Sequence, residues 1–250
     1  MSSPNEKRVA VVTGASSGIG RATAIALSAA GWSVALSARR EAELEQTADL
    51  CQNETIAVPG DVGSESYVKD LFQKTLDAFG RLDLLFNNAG ISRPSISIDE
   101  TSLESFRQVL DVNVIGVFLC TREAFRIFKT QSPPGGRIIN NGSISAYTPR
   151  LHSAIYTASK HAVLGLTKST ALDGRAHNIT CTQIDIGNAA TPMTVTHSAT
   201  VQADGSVKGE TRFDVKHVAD SIVHIASLPT EVTVLQMNIM ATSMPFVGRG

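Results

Sequence analysis

Short apolar runs and longer amphipathic stretches take turns along this chain. Val9-Ala10-Val11-Val12 is compact and β-branched, as a buried strand should be. The alanine-rich stretch from Arg21 to Ala30 reads as a helix, with Gly31 as its C-terminal stop. Trp32 to Ala38 predicts a second strand, Glu41 to Gln52 a charged helix and Thr55 to Pro59 a third strand. Ser64 is placed to cap a helix whose Val68, Leu71, Phe72, Leu76 and Phe79 recur at helical spacing, and Gly80 ends it. Leu82 to Asn87 predicts a fourth strand. Strand and helix thus alternate three times before that strand, which argues for a parallel sheet covered by helices on both faces.

Thr101-Ser-Leu-Glu104 has the form of a capping box, opening a helical segment that runs to about Lys129. Asp111-Val-Asn113 and Gly116 mark where so long a segment should bend or bulge. Val109, Val112, Ile115, Phe118 and Leu119 are expected to face the sheet, with Phe125 and Phe128 buried elsewhere. Pro133-Pro134-Gly135-Gly136 is a firm breaker, and Arg137 to Asn141 predicts a fifth strand. Ser153 to Ala176 reads as a long helix and Ile179 to Asp185 as a sixth strand. Asp214 would cap a final helix with Val215, Val218, Ile222 and Ile225 on one side, and Val232 to Met240 predicts a seventh strand. Between them, Gly187 to Arg212 is polar and irregular. Gaps of that length inside a compact domain are usually binding loops or disordered, and this one is expected to be the substrate loop. No repeat or linker interrupts the pattern. One domain over 1–250 is expected, with 1–7 disordered.

Composition narrows the classes. A chain of 250 residues with 42% hydrophobic and 18% charged residues fits an ordinary globular α/β domain. Its 22 basic and 23 acidic residues give no electrostatic reason to expect nucleic acid or an anionic membrane. Met1 to Arg8 is polar, without the apolar segment of a signal peptide, and no apolar stretch approaches the roughly 18 residues of a membrane span. Cys51, Cys120 and Cys181 are odd in number and far apart. They read as buried free thiols in a reducing compartment, so a cytoplasmic location is expected. No His, Cys and Asp cluster has metal-ligand spacing, and no metal site is expected.

Three features carry candidate chemistry. Thr13-Gly14-Ala15-Ser16-Ser17-Gly18-Ile19-Gly20 lies between the first strand and the first helix. Glycines there let the backbone turn tightly and approach a ligand, and the helix N-terminus presents free N–H groups to a pyrophosphate. The spacing differs from G-x-G-x-x-G, because three residues separate Gly14 from Gly18. Arg39-Arg40 follows the second strand, where an acid would suit the ribose of NAD and an arginine the 2′-phosphate of NADP. Tyr156 and Lys160 are four apart, hence neighbours on one helix face. A phenol titrates near pH 10, roughly, and a nearby ammonium favours the phenolate, which makes an acid/base for a hydroxyl–carbonyl conversion. Taken singly, each has a plainer reading: a tight loop, a solvated arginine pair, a surface Tyr–Lys pair.

Taken together, the chain resembles the short-chain dehydrogenase/reductase family in its compact single-domain branch. The matching features are Thr13-Gly-x-x-x-Gly-Ile-Gly20, Asp61-Val62, Asn87-Asn-Ala-Gly90, Asn113, Ser143 and Tyr156-x-x-x-Lys160, in the family's order. The resemblance implies a Rossmann-type, doubly wound parallel sheet of about seven strands with helices on both faces. It also implies a catalytic tetrad. Tyr156 would exchange a proton with the substrate oxygen, and Ser143 would hydrogen-bond that oxygen. Lys160 would hold the ribose hydroxyls, and Asn113 would expose backbone at the helix bend to position a water. Gly14, Ser16, Ser17, Gly18, Ile19 and Gly20 would cradle the cofactor's diphosphate. Asp61 would meet the adenine with Val62 packed beside it, and Asn88, Ala89 and Gly90 would lie along the ribose. Gly187 and Thr191 sit where the family holds the nicotinamide carboxamide.

One position departs from the family. Ile186 stands where a proline usually precedes Gly187, which would loosen the turn and alter the pocket. His152, Arg150 and Arg93 fall on loops near the expected substrate, and Tyr147 could wall the pocket, but each reads first as a loop residue. His161 should point away from the cofactor. The implied activity is interconversion of a carbonyl and an alcohol on a small molecule, with NADP(H) expected over NAD(H) on account of Arg39 and Arg40. The two long helices imply a homo-oligomer, dimer or tetramer. A catalytically silent NADP(H)-binding sensor or scaffold is the alternative; loss of Tyr156 or Lys160 would favour it, and both are present.

Overall fold

Successive residues of β1 (Arg8–Thr13) belong to different cores, as the two-residue period of a strand requires. Ala10 and Val12 join one cluster with Val34, Leu36, Phe86 and Ile184, while Val9 and Val11 join another with Ala35, Leu85, Ile138 and Cys181. A sheet so sorted must be covered on both faces. The computed structural model describes residues 7–195, 200–201 and 205–246. The disorder expected over 1–7 therefore falls, for residues 1–6, outside the described residues, as do 196–199 and 202–204 of the expected substrate loop.

In chain order, β1 is followed by α1 (Gly18–Ala29), β2 (Trp32–Ala38), α2 (Glu41–Asp49), β3 (Thr55–Pro59), α3 (Glu65–Phe79) and β4 (Leu84–Asn87). A helical run then comprises α4 (Leu103–Leu110), a π turn over Asp111–Gly116 and α5 (Val117–Thr130). Next come β5 (Gly136–Asn141), a single 3-10 turn (Ile144–Ala146), α6 (Ala154–Asp173) and β6 (Ile179–Ile186). Within the long polar gap lie α7 (Pro192–Val195) and a two-residue antiparallel pair, β7 (Thr200–Val201) and β8 (Val207–Lys208). The chain closes with α8 (Lys216–Ser227) and β9 (Gln236–Ile239). The seven-stranded sheet has the order β3-β2-β1-β4-β5-β6-β9 and is parallel throughout. Leu27 of α1 and Val218, Ile222 and Ile225 of α8 cover one face; Leu71 and Phe72 of α3 and Leu119, Ala124 and Phe128 of α5 cover the other.

The chain steps outward from β1 through β2 to β3 and then returns to the opposite side of β1 at β4. Connections leave these two neighbours in opposite directions, so a crevice opens at their carboxyl ends, the usual ligand position in such sheets. Side chains pin the strand ends beside it. Thr13 Oγ1 accepts from the amides of Asn88 and Ala89, both at 3.0 Å, and Asn88 Nδ2 donates to Thr13 O at 2.9 Å. Asn141 Nδ2 donates to Asn88 Oδ1 at 2.8 Å and carries the tie on to β5.

The expected bend in the long helix is the π turn, and its effect on the helix face differs from the periodic reading. A π turn adds a residue to the helical cycle and rotates everything after it. Leu119 packs against the sheet as expected and Val109 is fully buried, but Phe128 joins Leu119 at full burial, while Ile115 and Phe118 turn outward at 42% and 47% exposure. The capping box does not form. Ser102, not Thr101, is the cap, its Oγ accepting from Ser105 N at 3.1 Å, while Thr101 Oγ1 donates back to Ser97 O. Boundaries also shift: α2 ends at Asp49, β4 starts at Leu84, α6 ends at Asp173, and β9 covers only the centre of the predicted 232–240 strand.

Candidate active site

The turn between β1 and α1 needs its glycines for two different reasons. Gly14 and Gly18 have φ of 68° and 54°, where side chains are disfavoured. Gly20 has no such strain and lies beneath the turn; a Cβ there would stand 2.3 Å from Gly14 O and 2.5 Å from Asn88 Nδ2. Its role is close packing, and it does not line the cleft. Helix α1 starts with Ser17 as its N-cap residue, yet no side-chain oxygen caps it and its first turn has no acid. Ser16 and Ser17 Oγ instead accept from Arg40 Nη2 at 3.1 and 2.9 Å. The first amides and the positive end of the helix are left for an anionic ligand.

A cleft of about 290 Å³ runs past that helix end. Gly14, Ser16, Ser17, Gly18, Ile19, Arg39 and Arg40 line it from the β1 and β2 ends; Asp61, Val62, Asn88, Ala89 and Gly90 follow β3 and β4; Tyr156, Lys160, Gly187 and Thr191 come from α6 and the end of β6. Arg40 is committed to the two serines and to Glu43 at 3.1 Å. Arg39 is exposed on the cleft wall, with no hydrogen bond or ion pair to another of the described residues. Asp61 Oδ1 accepts from Gly63 N at 2.9 Å and shapes the turn after β3.

A second cavity, about 120 Å³, opens beside the first and is lined by Ser143. Tyr156 belongs to both walls. Lys160, one turn along α6, is 6% exposed; its Nζ donates to Asn141 O at 2.7 Å and lies 5.4 Å from the centre of the Tyr156 ring. Ser143 Oγ accepts from Ser145 N at 3.1 Å, so its own hydrogen stays available to a ligand. Asn113 lies behind the wall at 1% exposure. Its amide holds both backbone groups of Ile91, at 2.8 and 3.0 Å, and Ser159 Oγ at 3.2 Å. Only its main chain, in the π turn, is left for other work.

Arg93, Arg150 and His152 do line the second cavity. Arg150 is tied to Glu210 at 2.5 Å and to Asn188 Oδ1 at 2.9 Å, and Arg93 to Gln108. Tyr147 does not wall it, because its hydroxyl donates to Asp185 Oδ2 at 2.9 Å. Ile186 continues β6 in register with Ile239 of β9 rather than loosening the turn; 6% exposed, it packs into the apolar core while bordering both cavities. His161 is exposed and bonded to Thr157 O, away from both cavities. Burial pushes the Cys120 and Cys181 thiols up to about 12 and Cys51 upward, so none is a ready nucleophile.

Asp185 is the residue the sequence reading missed. In a strand that already carries Thr180, Thr182 and Gln183, one more polar residue gives no spacing signal. It is fully buried and accepts from Gln183 Nε2 at 2.7 Å, Ser143 N at 2.9 Å and the Tyr147 hydroxyl. Burial raises its pKa; those three donors and the charge of Lys160 oppose the rise without cancelling it. Burial, and secondarily Asp185 itself, holds the Tyr147 phenol at about 12.

With the geometry in place, comparison with known proteins is informative. The family model described as short chain dehydrogenase matches residues 8–202. A 3-oxoacyl-[acyl-carrier-protein] reductase of Synechocystis sp. is 38% identical over 191 residues, covering 75% of this chain and 76% of its own. Among solved structures, the 3-ketoacyl-(acyl-carrier-protein) reductase of Brucella melitensis, complexed with NADH, matches with a TM-score of 0.84 at 26% identity, covering 94% of this chain and 97% of its own. An alcohol dehydrogenase of the archaeon Thermococcus sibiricus, complexed with 5-hydroxy-NADP, gives 0.80 at 26% identity, with coverage of 94% and 96%.

The raised pKa of Asp185 has a stability consequence of definite sign. Its protonated form is favoured by folding, so the stability it contributes is complete at low pH and is lost as pH rises through the folded pKa. Asp185→Asn keeps an acceptor without the charge. It should therefore be more stable than wild type at pH 7, with the gap closing as pH is lowered through the carboxyl range, as read by urea midpoints across pH. A gap that widens toward low pH would contradict the assignment.

Proposed function

The chain belongs to the short-chain dehydrogenase/reductase family, and from that premise we propose that it is an NADP(H)-dependent oxidoreductase interconverting a carbonyl and an alcohol on a small molecule. The observation that carries this is Tyr156, standing where the two cavities meet with the Lys160 ammonium beside it. The uncapped start of α1, the left-handed glycines and the guanidinium of Arg39, unpaired among the described residues, fit a phosphate-rich dinucleotide. When bound, the nicotinamide nucleotide supplies or accepts the hydride.

The chain's own residues do the rest. In the reducing direction, Tyr156 gives its phenolic proton to the carbonyl oxygen as the carbonyl carbon is reduced. Ser143, its acceptor side occupied by Ser145 N, donates a hydrogen bond to the same oxygen and stabilises the charge gathering there. Lys160 holds the ribose hydroxyls with the protons that Asn141 O leaves free, since an ammonium has three. Asn113, its amide fully engaged, acts through the main chain of the π turn by positioning a water. Asp61 and Val62 hold the adenine, Asn88, Ala89 and Gly90 the ribose, and Gly187 and Thr191 the carboxamide. The substrate enters the cavity lined by Ser143, part of whose wall, Met193 and Thr194, comes from the 187–212 segment. A cytoplasmic location suits three unpaired thiols, and among the described residues no helix is long and apolar enough to cross a membrane.

The same reading assembles the protein into a closed homo-oligomer. Leu103, Ile115 and Phe118 on the α4–α5 run and Leu172 on α6 are between 42% and 61% exposed, too much apolar surface for helices with no partner. Light scattering at micromolar concentration should give a multiple of 26.5 kDa. A stable monomer would remove the claim.

Tyr156→Phe should bind NADPH as wild type does and lose turnover by roughly 10²-fold or more, the usual cost of removing a general acid. Near-normal turnover would end the tyrosine's assignment. Arg39→Ala should lower kcat/KM for NADPH by roughly tenfold, one charge-assisted hydrogen bond's worth, while leaving NADH almost unchanged. Wild-type preference for NADH, or equal loss of both, would reduce the arginine to a solvated side chain.

A further inference from the structure

Behind Ser143 the structure has built a place for a carboxylate. A Cβ on Gly142 would stand 2.1 Å from Asp185 Oδ1 and 2.7 Å from Gln183 Cγ, so the glycine is what leaves room for the acid. Asp185 ends a chain of buried side chains that crosses the sheet. Asn87 Nδ2 donates to Asn140 Oδ1 at 2.9 Å, Asn140 Nδ2 to Thr167 Oγ1 at 2.9 Å, Thr167 Oγ1 shares its one hydrogen between Val163 O at 2.9 Å and Gln183 Oε1 at 3.2 Å, and Gln183 Nε2 donates to Asp185. Gln183 thereby reaches Asp185 with its orientation set by α6 and β5. The other side of the carboxylate is held by Tyr147, just past the 3-10 turn.

From this we infer that Asp185 is a positioning residue for the reaction: by accepting the backbone N–H of Ser143, it fixes where that serine presents its hydroxyl. The backbone of Ser143 is extended, with φ of −166° and ψ of 152°, and its N–H points to Asp185 at 2.9 Å. Its Oγ is meanwhile held by Ser145 N at 3.1 Å. Two bonds, one on the main chain and one on the side chain, thus settle the orientation of the remaining O–H. Hydrogen-bond donors to a developing oxyanion act only when placed in advance, and a displaced donor loses most of its effect. Asp185 touches neither cavity, so it works through Ser143 and not on the substrate. The inference rests on Ser143 being the donor to the substrate oxygen.

The test is a double-mutant cycle. Asp185→Ala and Tyr147→Phe are made alone and in a Ser143→Ala background, with carbonyl reduction, NADPH binding by fluorescence and thermal unfolding measured on each. Asp185→Ala should lower kcat about tenfold or more, and Tyr147→Phe, which frees one side of the carboxylate, about threefold, with NADPH affinity unchanged. Both effects should vanish when Ser143 is already alanine. Asp185→Asn keeps the acceptor and should return kcat to within about threefold of wild type. The Tyr147 ring is 40% exposed, so its variant keeps the cycle available even where Asp185→Ala does not fold. Losses of equal size in both backgrounds, or full turnover in Asp185→Ala, overturn the inference. Ser143→Ala impaired beside an unimpaired Asp185→Ala overturns it alone; Ser143→Ala at full turnover overturns the serine's role and this inference together.

Discussion

Four parallel strands have to end side by side with their last residues held apart from the water they face, and most of the site follows from how that is done. A parallel sheet buried on both faces offers no solvent to satisfy a stray amide, so a large polar side chain inside is favoured only where a neighbouring strand or helix partners it, although the small hydroxyls of Thr180 and Thr182 in β6 find no partner among the described residues. Here the partners come in sequence. Thr13 and Asn88 join β1 to β4, Asn141 joins β4 to β5, and Asn140 and Gln183 reach Thr167 of α6 from β5 and β6. Each net hydrogen bond contributes only about 0.5–1.5 kcal/mol, but leaving one buried partner unmatched costs about 1–3 kcal/mol. A register slip anywhere would strand several at once. The asymmetry between making and missing these bonds fixes the strand ends more sharply than apolar packing could, since Val, Ile and Leu tolerate small shifts.

The π turn solves a different problem with a similar device. Asn113 must reach Ile91 on the loop after β4 and Ser159 on α6 at the same time. Between α4 and α5, widening the helix by one residue brings the amide inward without breaking the run. Gly116 lies against Val62, where a Cβ would come within 2.7 Å of Cγ2, so the bulge also seats the turn that follows β3. The consequence falls on the far side, where Ile115 and Phe118 are rotated away from the sheet. One local change in helical phase therefore shapes both the cleft wall and the surface available to a second copy of the chain.

These two devices explain what could be read from the sequence and what could not. The strand-turn-helix around Gly14 and the Tyr156–Lys160 pair are local: their spacing alone places them, and the structure brings them onto one cleft. The strand and helix alternation likewise needs only period-two and period-3.6 patterns. Phase after a π turn is not local, because the sequence at Asp111–Gly116 announces a break without saying how many residues the wider turn absorbs. Hence Phe128 was assigned elsewhere and Ile115 and Phe118 to the core. Capping failed in the same way: Thr101 has the box spacing to Glu104 and Ser102 does not, yet the 3-10 turn Ile98–Glu100 takes the Thr101 hydroxyl on its Ser97 carbonyl and leaves Ser102 as the cap. Gly20 sits in the same motif as Gly14 and Gly18 for a different reason: a side chain there would meet Gly14 O within the turn and also Asn88, far along the chain.

Asp185 marks the limit of such reading most clearly. Its four nearest polar or steric neighbours are Gly142, Ser143, Tyr147 and Gln183, and three of them lie some forty positions earlier in the chain. In sequence, the acid is one more polar residue in a strand that already carries Thr180, Thr182 and Gln183, and nothing marks it out. In space, the missing side chain of Gly142 and the carboxylate are complementary, and neither makes sense without the other. A buried charge is retained against its desolvation cost only where several donors converge on it, and here the donors include the amide of the very serine that faces the second cavity. Ile186, directly after it, extends the rung shared with β9, packs into the apolar core and borders both cavities. Strand β6 therefore ends in alternation: one residue turned to hold the serine, the next turned to the apolar cluster on the other face of the sheet, as the pleat demands.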